Sequence, residues 1–145
     1  MNSFERLVRA SVIQSLRDTG RVPPKALLAE SLGASESAVS AALQALAGEH
    51  RLVLISGTDS VRMAHPFSVV ATDFSVKIGE RQWFANCVWD GLAILALLGD
   101  GSLDTRSPAT GEPIRIRVTG GQVLGEALVH FLVPARRFWE DIGFT

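Results

Sequence analysis

The chain has 145 residues, 47% of them hydrophobic and 20% charged, with a formal net charge of −1. That balance excludes wholesale disorder, and it excludes a general electrostatic pull toward nucleic acid or acidic lipid. A single cysteine, Cys87, excludes an intramolecular disulfide and any zinc site built from several cysteines of one chain.

In chain order, Phe4, Leu7, Val8, Val12, Ile13 and Leu16 recur at helical spacing, with Ser3 as expected cap and Gly20 as stop. Pro23 and Pro24 open a second helix that runs to Leu32 and ends at Gly33. Ser35 caps a third, whose apolar stripe is Val39, Ala42, Leu43 and Leu46 and whose end is Gly48. Residues 52–55 and 60–64 flank Ser56-Gly57-Thr58-Asp59 in a hairpin pattern. A joint follows at His65-Pro66-Phe67. Phe74, Val76 and Ile78 then alternate with polar residues, and Gly79-Glu80 turns this strand into a second one through Trp83. Residues 86–98 read as a helix that is apolar on most sides, hence largely buried, with Asn86 as cap. Ile114, Ile116 and Val118 alternate with Arg115 and Arg117, which predicts a strand with one wet face. Gly120-Gly121 reads as a turn. Residues 129–133 read as a strand, 135–141 as a short helical turn, and 142–145 as the start of another strand.

Three helices and a hairpin are the layout of a winged helix-turn-helix, with Leu32-Gly33-Ala34-Ser35 as its short turn. The fold expected is therefore α+β: a winged helix (1–64) packed on a small mixed β-sheet domain with a buried helix (65–145). A DNA-reading helix needs cations to meet phosphates. Between Lys25 and Arg51 there is no Lys or Arg, while Glu30, Glu36 and Glu49 are negative. Gln44 and the serines are the remaining base readers, so a structural role is favoured over DNA binding.

The second candidate is chemical. Cys87, in the first turn of the buried helix, meets unpaired amides and a dipole that favour the thiolate. Asp90, three residues on, shares its face. A soft sulfur beside a carboxyl in partly apolar surroundings suits a soft metal ion and proton transfer next to it. Taken by itself, a cysteine near a buried helix is more often a small apolar filler.

WFANCVWDGLAILALLG, SPATGEPIRIRV and VHFLVPARRFWEDIGFT together resemble the alkylmercury lyase (organomercurial lyase) family. The resemblance covers nearly the whole chain, because such enzymes carry a helix-turn-helix domain ahead of the catalytic one. It implies an enzyme that cleaves carbon–mercury bonds to a hydrocarbon and mercury(II). Cys87 falls on the family's first catalytic cysteine and mercury ligand, and Asp90 on its proton-carrying aspartate. No organic cofactor is implied; the partners are an organomercurial and cellular thiols. In the family a second catalytic cysteine follows the stretch matching Phe144-Thr145, and another stands where this chain has Ser107-Pro108. With one sulfur, cleavage needs a thiol from outside the chain. A homologue that captures mercury without turnover and a winged-helix regulator are the alternative readings.

Trp83, Phe84 and Trp89 flank the pair and are candidate pocket walls for an alkyl or aryl group. His50, His65 and His130 are scattered and read as structural. No segment has the apolar core of a signal peptide or the roughly 20 apolar residues of a membrane span, which predicts a cytoplasmic, bacterial protein.

Overall fold

Asn2, not Ser3, caps the first helix of the computed structural model, which describes residues 1–126, 128–131 and 133–142. Its side-chain oxygen accepts from the Glu5 amide at 2.9 Å, while the Glu5 carboxylate accepts from the Asn2 amide at 2.6 Å. This reciprocal pairing outcompetes a serine cap one residue later. Helix α1 (Ser3–Thr19) stops at Gly20, which takes the left-handed conformation as expected. Helix α2 (Lys25–Ser31) follows Pro24, and α3 (Glu36–Gly48) is capped by Ser35 through the Ala38 amide. The apolar stripes of the three helices meet: Val8, Val12, Leu16, Leu28, Val39, Leu43 and Leu46 are all buried. Each such side chain contributes about 1.5–3 kcal/mol when removed from water.

Strands β1 (Val53–Leu54) and β2 (Val61–Ala64) form the expected antiparallel hairpin, in shorter form. The stretch read as a joint holds a third strand, β3 (Phe67–Ser68), which turns back on β2 after a cis His65–Pro66 bond. Phe67 is buried there. Asp59, in the β1–β2 loop, accepts from Lys25 Nζ at 2.5 Å and from the Ser40 hydroxyl, tying α2 and α3 to the hairpin. These elements make up one compact unit, Met1–Thr72; the second is Asp73–Thr145.

In the second unit β4 (Ser75–Ile78) and β5 (Arg81–Ala85) pair antiparallel around the Gly79-Glu80 turn, as the alternation predicts. Helix α4 (Val88–Leu98) leads from β5 to β6 (Gly101–Arg106), which joins the other edge of β4. β6 then pairs with β7 (Pro113–Thr119), and β7 with β8 (Gln122–Leu124). The strand order is β5-β4-β6-β7-β8. Every one of these pairings is antiparallel, so the sheet is not the mixed one expected. Short glycine turns join β4 to β5 and β7 to β8, and such turns reverse the chain. At Gly120-Gly121 both φ angles are positive, 59° and 74°, and the Asp100 carboxylate accepts from both amides.

One row of side chains crosses this sheet in register: Trp83, Val76, Leu103 and Ile116, all at 5% exposure or less. The row faces α4, because a Cβ built on Gly91 lies 2.7 Å from a Leu103 methyl. Glycine at 91 is what lets the helix come this close. The neighbouring row, Phe84, Ser75, Asp104 and Arg115, takes the opposite face, where Arg115 and Asp104 form an ion pair. Helix α4 is less buried than its composition predicts. Asp90, Gly91, Ile94 and Leu95 are buried, but Trp89 and Leu97 are 59% and 66% exposed. Residues 129–131 and 133 are not in a strand, contrary to the expectation, whereas Ala135–Glu140 is a 3-10 helix. The strand expected to start at Ile142 falls mostly on 143–145, outside the described residues, as does Leu132.

Candidate active site at the start of helix α4

Cys87 is itself the cap of α4, one residue later than the sequence suggests. Its backbone is extended (φ −152°, ψ 178°), and its carbonyl accepts the first helical bond from the Gly91 amide at 3.0 Å. Asn86 does not cap because its side chain is engaged elsewhere. Its Nδ2 donates to Asp90 Oδ2 at 2.9 Å. Asp90 lies in the first turn and is 7% exposed. The fold thus gathers Asn86, Cys87 and Asp90 around one helix start. The Asn86 Oδ1 atom is buried and has no hydrogen-bond partner among the described residues.

The electrostatics of Cys87 differ from the sequence expectation. Burial pushes its thiol pKa above the ordinary value, and the negative charge of Asp90 adds to that push. The backbone amides of Asp90 and Trp89 act the other way, as a helix start should, without overcoming burial. The free thiol is half-buried rather than sealed.

The three aromatic candidates go to different places. Trp83 is buried in the row beneath α4, and Phe84 is half-buried on the opposite sheet face. Trp89 is exposed on the helix and meets Phe131 edge-on, with centroids 6.4 Å apart. Phe131 in turn lies 5.7 Å from Phe138 at a tilt of 33°. Sequence reading assigned Phe131 to a strand and missed this trio, because nothing local says which distant aromatic will face Trp89. It also missed Asn86 as the partner of Asp90. Its one signal was the four-residue spacing of Asn86 and Asp90, although Asn86 stands before the cap and not on the helix.

A hollow of about 490 Å³ lies elsewhere in this unit, between Asp73, Ser75, Asp104, Arg106, Pro113 and Arg115. Neither Cys87 nor Asp90 lines it. Among the described residues no three His, Cys, Asp or Glu side chains gather as a metal site. No helix among them is long and apolar enough to cross a membrane. In the first unit, Gln44 donates to the Thr58 carbonyl at 3.2 Å, so the one amide on α3 is turned toward the hairpin.

The family model described as alkylmercury lyase matches residues 67–144, more than half of the chain. The solved structure of the mercury-bound form of MerB2 is similar in fold, with a TM-score of 0.70 and 24% identity. The likeness covers 86% of this chain and 60% of that one, so the chain spans less than two thirds of that structure's length. No curated protein matches.

Proposed function

The chain belongs to the alkylmercury lyase family, and from that premise we propose that it cleaves carbon–mercury bonds at Cys87 and Asp90. The observation that carries this reading is the pairing of a half-buried thiol and a buried carboxyl within one helical turn, inside the matched segment. Trp89, exposed on α4, and Trp83, beneath that helix, remain candidate walls for the organic group in this reading, whereas Phe84 lies on the opposite sheet face.

In the proposed mechanism, Cys87 gives up its proton and its thiolate displaces the inorganic or thiolate ligand from R–Hg–X. This forms R–Hg–S. A thiolate from a second molecule, a cellular thiol, joins the mercury. Asp90 receives a thiol proton and passes it to the carbon bound to mercury. The electron pair of the carbon–mercury bond becomes the new C–H bond, leaving mercury bridged between Cys87 and the cellular thiolate. A second cellular thiol then displaces Cys87, which takes back a proton, and mercury leaves as a bis-thiolate of the cellular thiols. Mercury stays in the +2 state throughout, so no reductant is involved, and no organic cofactor enters. Asp90, buried in the first turn of α4 beside Cys87, is placed to pass a proton close to an apolar substituent. The high thiol pKa at Cys87 makes mercury, for which sulfur is the preferred soft ligand, the agent that drives deprotonation.

In the first unit, we read the three helices and hairpin as a winged helix-turn-helix with a structural role. The absence of Lys and Arg between residues 25 and 51 supports that reading. We further propose a cytoplasmic, bacterial setting, in which thiols are abundant and reduced.

Incubating the protein with phenylmercury and excess thiol should release benzene, and Cys87→Ser should abolish the release. No benzene above that control would remove the catalytic reading. Mercury retained one to one without benzene would instead mark a capture protein with a single sulfur.

A further inference from the structure

We propose that Asn86 is the positioning residue of this site, holding the Asp90 carboxyl beside Cys87 on both sides of the proton transfer. This rests on the lyase reading above for the step being positioned. The geometry is specific. Asn86 Nδ2 donates to Asp90 Oδ2 at 2.9 Å, and Asn86 Oδ1 is buried with no partner among the described residues. Asn86 also immediately precedes Cys87 in the chain.

A buried acceptor left unmatched is unfavourable, yet the arrangement is the right one for a carboxylate oxygen, which only accepts. An amide carries a donor and an acceptor on one planar head. When the carboxyl holds the proton, half a turn of the amide lets Oδ1 accept it, and Nδ2 becomes the unmatched end. A hydroxyl also donates and accepts but at shorter reach, and an alanine does neither. Groups that orient a reacting side chain in this way matter for rate about as much as outer partners of metal ligands do.

The experiment is a double-mutant cycle on the full chain with two readouts. One is the rate at which Cys87, the sole thiol, captures phenylmercury; the other is benzene release in excess thiol. Asn86→Ala should lower benzene release about tenfold or more, mainly in kcat. It should also change the capture rate about threefold, and that change should vanish in an Asp90→Ala background. The same capture effect in both backgrounds, or none in the parent, would overturn the proposal, because Asn86 would then not act through Asp90. If Asn86→Ala lacks a cooperative unfolding transition, Asn86→Leu, similar in size and without donor or acceptor, carries the cycle instead. If the parent releases no benzene, the lyase reading fails while the capture cycle still decides the role of Asn86.

Discussion

The thiol of Cys87 is the residue on which two general effects compete. A helix start favours the thiolate through aligned amides and the dipole, typically by 0.3–1 kcal/mol at the surface. Removing a charge from water costs more than that once the sulfur is half-buried, and a neighbouring carboxylate adds repulsion. Burial therefore wins, and the pKa rises. Alkylation of this sole thiol by iodoacetamide should keep accelerating above pH ~8.5, the ordinary thiol pKa. Asp90→Asn should move that rise to lower pH, because a negative charge is removed. A rate already level at neutral pH would contradict the assignment. Cys87 and Asp90 were legible in the sequence because residue type and spacing are local facts. The partner of Asp90 was not, because an Asn before a helix has two competing uses, as cap or as side-chain donor. Only the placed carboxyl decides between them.

At the level of elements, those with a strong period of their own were legible and those held by neighbours were not. The helical stripes of α1 and α3 and the alternation of β4 and β7 are written in consecutive residues. Strand β6 has Leu103 as its one large apolar residue, yet it pairs along both edges, with β4 and with β7. Its backbone bonds come from strands distant in sequence, so no local pattern announces it. The opposite error occurred at residues 129–133, where an apolar run suggested a strand. Val129 and Phe131 are partly exposed there, and Phe131 packs against Trp89 and Phe138 instead. Close packing around β6 gives a test. A Cβ at Gly101 would stand 2.3 Å from the Lys77 carbonyl, a backbone atom that cannot swing aside. Gly101→Ala should therefore destabilise the protein by about 1–3 kcal/mol, as overpacking does. Urea denaturation measures this, and an unchanged midpoint would show that the strand pair can yield.

For the whole molecule, the near-zero charge and the cation-free third helix set the expectation toward nucleic acid. Duplex DNA at physiological salt should show no binding tighter than the non-specific range of about 10⁻⁴–10⁻⁶ M. A salt-dependent mobility shift at lower protein concentration would overturn the structural reading of the first unit. By itself the sequence determined the helices of that unit, its hairpin, the β4–β5–α4 succession and strand β7 after it, and the close spacing of Cys87 and Asp90. Those follow from period, capping and side-chain chemistry, all of which act over a few residues. Tertiary structure alone decided the antiparallel order β5-β4-β6-β7-β8, the exposure of one side of α4, the Asn86–Asp90 bond and the direction of the Cys87 shift. Each of these depends on which distant atoms exclude water or offer a partner, and a linear chain does not state its neighbours in space.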